Sequence, residues 1–187
     1  QQQKDQAENW FKNLRDKICE EFEILEEDHL KLAPKSDVAA KKFERKSTIR
    51  ETDDKEDGGG GVMATLKGGR IFEKVGVNVS AVYGNLAPEA QKSITARKAI
   101  PELKDDPRFW ASGISLVAHM RNPHTPAIHL NTRMFWTPHA WWFGGGTDLN
   151  PSIPIEEDTN FFHKTLKKRC DKHNQTYYKK FKEWADD

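Results

Sequence analysis

The sequence predicts an α+β fold in which helices cover an antiparallel β-sheet. Three observations lead to this class. Residues 10–29 repeat apolar side chains every three or four positions, which is typical of an amphipathic helix. Several runs between residues 58 and 151 alternate apolar and polar side chains and are joined by short segments rich in glycine or proline. Helical spacing returns after residue 158, so the strands are bracketed by helices.

The N-terminal helix is predicted from apolar side chains that share one face, with glutamate and lysine between them. The members of that face are Trp10, Phe11, Leu14, Ile18, Phe22, Leu25 and His29. Residues 35–57 are rich in charge, and the stretch from Glu51 to Asp57 predicts a mobile loop. The first strand is expected only after this segment.

Turn-forming glycines punctuate the first strands. Residues 58–61 are glycines that open a strand over 62–67, and Gly68-Gly69 predict a two-residue hairpin turn. The chain then returns over 70–75, and alternation over 77–83 predicts a further strand.

Three more helices follow from their N-terminal signals. Pro88 suits the first position of a helix that runs to about Arg97. Asp158 or Thr159 can cap a helix that runs to about His173, and residues 178–184 begin another.

The segment from Gly113 to Pro151 carries the strongest functional signal, because its strands collect polar side chains on one face. Strand side chains alternate between the two faces of a sheet. The run 127–136 therefore places His129, Asn131 and Arg133 together, and Ile128, Leu130, Thr132, Met134 and Trp136 opposite to them. The proline-containing link 121–126 allows the preceding run to pair with it. Ser115 and His119 would then lie beside the polar set, as a pocket for an anionic ligand requires.

Composition limits the class of protein. At 187 residues the chain is expected to form a single domain, 1–187. Lys and Arg exceed Asp and Glu by one charge, which argues against a nucleic-acid partner held by a basic surface. The cysteines, Cys19 and Cys170, are too few for a disulfide scaffold and favour a reducing, cytoplasmic setting. No apolar run is long enough to span a membrane, and no targeting segment is visible.

Arg133 is the sharpest candidate residue for binding. Its guanidinium is a permanently charged planar fork that matches a carboxylate. On the polar face of a buried strand it must be paired or bound to a ligand, because an unpaired buried charge is very costly. A structural salt bridge is the alternative. Asn131 and Ser115 can supply further hydrogen bonds on the same face.

Asp148 is the candidate acid. It follows three glycines and Thr147, and such a glycine run lets the backbone approach a flat ligand and present the next side chain from a loop at a strand end. The alternative is an ordinary turn or helix-capping aspartate.

His119, His129 and His163 leave three interpretations open. Three imidazoles can hold a divalent metal, but their spacing matches no closed zinc pattern. A second interpretation, which we favour, is that His129 acts as a proton donor or hydrogen-bonding group in the pocket. The third is that all three are structural histidines.

Several blocks closely resemble the oxygen-dependent coproporphyrinogen III oxidases. They are GGGGVMATLKGGRIFEKVGVNVS, GISLVAH, RNPHTPAIHLNTRMFW, WWFGGGTDLNP, FFHKTLKKRCDKH and YYKKFKEW, and in this order they extend over about residues 58–184. The resemblance implies a broad flat antiparallel sheet with helices on both sides, and a homodimer. The sequence departs from the family pattern at Met120, where proline is usual, and at Asn150, where threonine is usual. The chain also stops at Asp187, where the family continues.

The activity that the resemblance implies is oxidative decarboxylation in haem biosynthesis. Two propionates of coproporphyrinogen III become vinyl groups, giving protoporphyrinogen IX, carbon dioxide and peroxide, with dioxygen as acceptor. No organic cofactor is required, and a divalent metal is an open possibility. Ser115, Asn131, Thr132 and Arg133 are expected to bind the substrate. Asp148 is expected to hold or deprotonate a pyrrole N–H, and His129 to donate a proton or a hydrogen bond.

Two other functions are compatible with the same residues. One is an inactive protein that binds tetrapyrroles or carboxylates, because the family's C-terminal part does not appear in this chain. The other is a metal-dependent hydrolase that uses His119, His129 and His163.

Overall fold

The computed structural model describes residues 1–35, 37–52 and 56–187. In chain order the elements are helix α1 (Gln2–Leu32), strands β1 (Glu44–Glu51), β2 (Asp57–Lys67) and β3 (Phe72–Asn85), helix α2 (Pro88–Lys98), strands β4 (Arg108–Met120), β5 (Ala127–Trp136) and β6 (Trp141–Asn150), and helices α3 (Glu156–Asp171) and α4 (Tyr177–Asp186). A short 3₁₀ turn, Pro101–Lys104, precedes β4. The predicted α+β class is confirmed.

The strands β1 to β6 form one antiparallel sheet in which each strand pairs with its neighbours in the sequence. Residues directly opposite each other in such a sheet point to the same face. The register therefore separates Leu116 and Leu130 on one face from Ser115 and Asn131 on the other. We call the first the helical face, because α1 packs on it, and the second the polar face.

Helix α1 forms the core together with the helical face of β3 and β4. Phe11 is fully buried there, and Phe22 stacks on Phe72 with ring centres 4.7 Å apart. Burying a side chain such as Phe11 contributes roughly 1.5–3 kcal/mol. The predicted amphipathic helix is thus confirmed, although it begins earlier than its apolar pattern indicates.

A buried carboxylate joins α1 to the β2–β3 hairpin. Glu26 is fully buried and accepts hydrogen bonds from the backbone N–H groups of Arg70 (2.6 Å), Ile71 (2.8 Å) and Phe72 (3.0 Å). The Arg70 guanidinium in turn donates to the carbonyl oxygens of Ala33 and Val38. These contacts place the turn two residues later than predicted.

The β2–β3 turn is centred on Arg70-Ile71 rather than on Gly68-Gly69. The Gly69 N–H donates to the Phe72 carbonyl at 2.9 Å, which closes the turn around those two residues. Gly68 has a positive φ of 62°, but its role is to lead into the turn. The sequence did not predict this position of the turn, because Glu26, which binds the backbone N–H groups of the turn, is distant in sequence.

The charged segment contains a strand that was not expected. Residues 44–51 form β1, which pairs with β2, and all eight of its side chains are exposed. A strand without a buried face shows no apolar alternation, so its sequence resembles a loop. Residues 53–55 of the predicted loop lie outside the described residues.

The two predicted strands over 70–75 and 77–83 are one strand, β3. Helix α2 begins at Pro88 as predicted. Helix α3 begins two residues before the predicted cap Asp158, and no side chain caps it. Among the described residues, no helix is both long and apolar enough to cross a membrane.

Helix α1 is the helix that packs most extensively on the sheet, through β3 and β4. Helices α3 and α4 pack against each other and bury none of their residues. On the polar face Ser115, His119 and Arg133 are exposed. Within the described part of the chain, the polar face is therefore open to solvent around these residues.

Candidate active site

The polar face brings together the residues that the strand alternation predicted. Ser115 is opposite Asn131, and Gly113 is opposite Arg133. His119 lies diagonally from His129, with ring centres 6.0 Å apart. The register confirms the prediction that five side chains of β4 and β5 share a face, namely Ser115, His119, His129, Asn131 and Arg133.

A hollow of about 310 Å³ lies on this face over β3, β4 and β5. Ser115, Asn131 and Arg133 line it, together with Asn78 and Ser80 of β3. The register places Asn78 opposite Ser115 and Ser80 opposite Gly113, so the hollow is bordered by hydrogen-bonding groups from three strands. Such groups suit a ligand with several polar substituents.

Asn78 and Ser80 were not recognised from the sequence. Their alternation in β3 matches that of β4, but only the β3–β4 register shows that they face the same hollow. The sequence does contain a signal that could have identified them: polar residues alternate with valines in this strand, so that Asn78 and Ser80 share one face.

Arg133 differs from the prediction in its burial. Its side chain is exposed, and its Nη2 lies 3.4 Å from Asn131 Oδ1. Among the described residues no carboxylate lies within ion-pair distance of it. The argument that a buried guanidinium needs a partner therefore does not apply, because water solvates this charge. The salt-bridge alternative is also not seen, so the guanidinium is available for a ligand.

His129 and Asp148 form a pair across β5 and β6. Nδ1 of His129 lies 2.8 Å from Oδ1 of Asp148, and the same oxygen accepts the His129 backbone N–H at 3.2 Å. Asn150 adds a contact of 3.3 Å from its Nδ2 to Nδ1 of His129. The position that departs from the family pattern thus contacts the candidate proton donor.

Asp148 lies within β6, whereas the sequence predicted that it would lie on a loop. The glycines before it are strand residues, and Gly144 and Gly146 are opposite Arg133 and Asn131. Asp148 does not contact Arg133, because His129 and Arg133 are four residues apart in β5, roughly 13 Å along a strand. The two candidates share a face but lie at different places on it.

Thr132 is the predicted site residue that points elsewhere. It is opposite Ile114, which is buried in the core on the helical face. The alternation itself indicates this orientation, whereas the resemblance alone included Thr132 in the site. Its side chain is therefore separated from those of Asn131 and Arg133 by the sheet.

The three candidate metal ligands do not come together. His163 lies on α3, and its Nδ1 is 3.0 Å from the Tyr178 hydroxyl of α4. Nδ1 of His129 is occupied by Asp148. The described ranges contain no group of three or more His, Cys, Asp or Glu side chains that could hold a metal ion. These residues do not form the metal site that the sequence left open.

Three aromatic rings lie together at one end of the polar face. Phe135 stacks on Trp142 with ring centres 5.0 Å apart and on Phe109 at 5.6 Å. The Lys98 ammonium lies 5.3 Å from the centre of the Trp142 ring. This row provides a flat apolar boundary next to Arg133.

A larger hollow of about 1220 Å³ lies between the start of α1 and the sheet. Lys4, Glu8, Arg50 and Asp57 line it, so both signs of charge are present. None of the described residues that line it is a predicted site residue. Although this hollow is larger, we do not choose it as the candidate site, because its mixed charges do not select a ligand of one charge.

Comparison with known proteins agrees with this geometry. Residues 6–187 match the family model of coproporphyrinogen III oxidase. Oxygen-dependent coproporphyrinogen-III oxidases of Rickettsia peacockii (strain Rustic) and Rickettsia akari (strain Hartford) are each 45% identical to the chain over 184 residues, which is 98% of this chain and 60% of the relative. The enzyme of that name from Rickettsia bellii (strain RML369-C) is 44% identical over 179 residues, 96% of this chain and 58% of the relative.

The chain therefore spans about three fifths of the length of these relatives. Because a family model matches nearly all of the chain, and the predicted blocks fall on the sheet and on α3, the resemblance noted in the sequence is confirmed. This chain belongs to the coproporphyrinogen III oxidase family.

Proposed function

We propose that the chain acts in the oxygen-dependent oxidative decarboxylation of coproporphyrinogen III to protoporphyrinogen IX. The observation that carries the proposal is the shared hollow of Ser115, Asn131 and Arg133 beside the His129–Asp148 pair. Family membership and the names of the relatives support the same activity. Because the chain spans only 60% of those relatives, the activity, substrate and partners are proposals for this chain.

The reaction itself balances with dioxygen as the sole co-reactant. Each propionic acid side chain, CH2CH2COOH, becomes a vinyl group, and its carboxyl group leaves as carbon dioxide. Dioxygen takes up the two electrons and two protons that are released and becomes hydrogen peroxide. The Cβ–H and Cα–carboxyl bonds break, and a carbon–carbon double bond forms. The protein therefore has to orient the substrate, exclude water and move protons.

Arg133 and Asn131 are proposed to fix a propionate of the substrate. A guanidinium binds a carboxylate through two parallel hydrogen bonds, and Arg133 has no competing carboxylate among the described residues. Asn131 Oδ1 already lies near Nη2, so the amide can orient the fork. Ser115, directly opposite Asn131, can donate a third hydrogen bond.

Asp148 is proposed to accept a pyrrole N–H or its proton, which makes the pyrrole ring electron-rich. The 2.8 Å contact to His129 gives the proton a neighbouring imidazole, which can donate or hold it. Both side chains are partly exposed, 39% for His129 and 54% for Asp148, so a bound substrate can reach them.

No step is assigned to a metal. The residues present do not fit a three-ligand site, since Tyr178 holds His163 and Asp148 holds one nitrogen of His129. The orientation and proton transfer described use the protein's own hydrogen-bonding and charged groups.

A homodimer and a cytoplasmic location complete the proposal. The resemblance implies the dimer, and exposed aromatic side chains on the helical face of β6, Trp141 and Phe143, are compatible with burial by a partner. Light scattering of the purified chain tests the dimer. Both cysteines are unpaired, which is compatible with a reducing compartment.

The test compares binding with turnover. The chain should quench or shift the fluorescence of coproporphyrin III, and a chimera in which it replaces the matching residues of the Rickettsia akari relative should convert coproporphyrinogen III in air and release peroxide. Binding without turnover in the chimera would favour the protein that only binds tetrapyrroles. Absence of both binding and turnover would refute the proposal.

A further inference from the structure

Strand β6 presents no side chain in the middle of the polar face. Trp142 and Asp148 point to this face, and the two positions between them on the same face are Gly144 and Gly146. Trp142 and Asp148 are six residues apart, roughly 20 Å along a strand. The bare backbone between them, which we call the β6 gap, lies directly beside Arg133 and Asn131.

The fold does not require glycine at either position. Neither Gly144 nor Gly146 has a positive φ, and a Cβ added at either one would meet no atom within 4 Å. Gly145 is different, because its Cβ would collide with the backbone oxygen of Asn131. Packing therefore explains the middle glycine and leaves the outer two without a structural reason.

Glycine in the interior of a strand weakens it and often marks a place where another molecule approaches the backbone. The surroundings indicate which kind of molecule. Arg133 lies between Gly113 and Gly144 on the neighbouring strands, so neither residue directly opposite it carries a side chain. Aromatic rings border one end of the gap and the His129–Asp148 pair the other.

The charges on this face complement an anion. The Lys74 ammonium belongs to this face, and Arg133 has no carboxylate partner among the described residues. Asp148, the acid of the β6 gap, is already paired with His129. A ligand that combines a flat apolar ring with carboxylates matches both the aromatic border and the guanidinium.

We propose that Gly144 and Gly146 shape the binding surface, so that a flat pyrrole ring of the porphyrinogen lies against the bare backbone of β6 while Arg133 holds a carboxylate. This inference rests on the proposed function and adds the position and orientation of the ring. Side chains at 144 and 146 would lift the ring away from β6 and from Arg133.

The experiment measures binding and stability of Gly144→Ala, Gly146→Ala and Gly146→Val. The melting temperature should be unchanged or raised by about 2–4 °C, because alanine restricts the unfolded chain and meets no atom in the folded one. The dissociation constant for coproporphyrin III should rise at least about 10-fold, with valine the more damaging. Binding of butane-1,2,3,4-tetracarboxylate, a flexible anion without a ring, should change less than about 2-fold.

Two matched glycines serve as controls. A Cβ at Gly76 of β3 also meets no atom within 4 Å, so Gly76→Ala should preserve both stability and porphyrin binding. Gly145→Ala should lower the melting temperature because of its collision with Asn131.

The outcomes separate this inference from the proposed function. If the unsubstituted chain does not bind coproporphyrin III, the proposed function fails and this inference with it. If that chain binds and the variants at 144 and 146 bind equally well, only the inference about β6 is overturned. It is also overturned if these variants lose stability, or if Gly76→Ala weakens porphyrin binding to the same extent.

Discussion

Nδ1 of His129 lies 2.8 Å from Oδ1 of Asp148, across the pairing of β5 with β6. The two side chains are directly opposite each other, and the Asp148 carboxylate also accepts the His129 backbone N–H. A carboxylate that binds both the ring and the backbone of one histidine fixes the orientation of that ring. The pair therefore lies on the polar face with the His129 ring held by Asp148.

Replacing Asp148 by Asn is expected to abolish proton acceptance while preserving the fold. General acid–base catalysis contributes about 100-fold or more, so turnover of coproporphyrinogen III in the chimera should fall by at least that factor. Because Asp148 is more than half exposed, the free energy of unfolding should change by no more than about 0.5 kcal/mol. Peroxide release and urea unfolding measure the two effects.

The control is Asp105→Asn, which changes an exposed aspartate beside the 3₁₀ turn and should leave turnover intact. Near-normal activity of Asp148→Asn would remove the proposed role of the carboxylate.

Replacing Arg133 by Lys is expected to weaken binding without weakening the fold. The ammonium keeps the charge but loses the two-pronged hydrogen bonding, and a charge-assisted hydrogen bond contributes roughly 1.5–3 kcal/mol. KM, or the dissociation constant for coproporphyrin III, should therefore rise about 10-fold or more. Urea unfolding should be unchanged, since Arg133 has no ion pair among the described residues.

Arg97→Lys in α2 is the matched control, and it should bind as the original chain does. Equal affinity of the Arg133→Lys and Arg97→Lys variants would show that the fork geometry of Arg133 does not contribute to binding.

Local alternation predicted the polar face of β4 and β5 because neighbouring strands joined by a short link have few possible registers. It placed Ser115, His119, His129, Asn131 and Arg133 together. The same pattern assigned Thr132 to the helical face, and the resemblance, which compares residues and not orientations, included it in the site. For Thr132, where the strand alternation and the resemblance disagreed, the alternation predicted the orientation of the side chain correctly.

Long-range contacts account for what the sequence did not predict. The pairing of His129 with Asp148 depends on the β5–β6 register, and the position of the β2–β3 turn depends on Glu26, 44 residues before Arg70. Strand β1 has no buried face, so it carries no periodic signal. Arg133 was expected to be buried because its strand was, but one face of that strand is open.

Cys19 is expected to be chemically inert in the folded chain. Burial raises the pKa of its thiol to about 11, and only 3% of the residue is exposed, because it lies on the buried face of α1. At pH 8 about one molecule in a thousand would then carry the reactive thiolate. In the Cys170→Ser variant, reaction with Ellman's reagent at pH 8 should therefore be slow and should become rapid in urea.

The reverse variant, Cys19→Ser, retains the half-buried Cys170 and should react faster than Cys170→Ser under native conditions. Rapid native reaction of Cys19 would contradict the packing of α1 on β3 and β4.

Glu26 is expected to make the stability of the chain depend on pH on the acid side. Burial alone would raise the pKa of this carboxyl, but the backbone N–H groups of Arg70, Phe72 and Ile71 stabilise the charged form and hold the pKa below its ordinary value of 4.5. A lowered pKa in the folded state contributes stability above the unfolded value, and this contribution is lost as the pH falls through the folded value. Unfolding by urea should therefore become easier as the pH falls below about 4.5.

Replacing Glu26 by Gln removes the charge that these donors stabilise and should lower the free energy of unfolding at pH 7 by about 2 kcal/mol or more. The variant should also lose part of the decline below pH 4.5, because an amide does not titrate there. Glu20→Gln, which changes an exposed glutamate of the same helix, should reproduce neither effect. If Glu26→Gln and the original chain lost stability in parallel between pH 7 and pH 3, the carboxylate would not be the group that joins α1 to the hairpin through its charge.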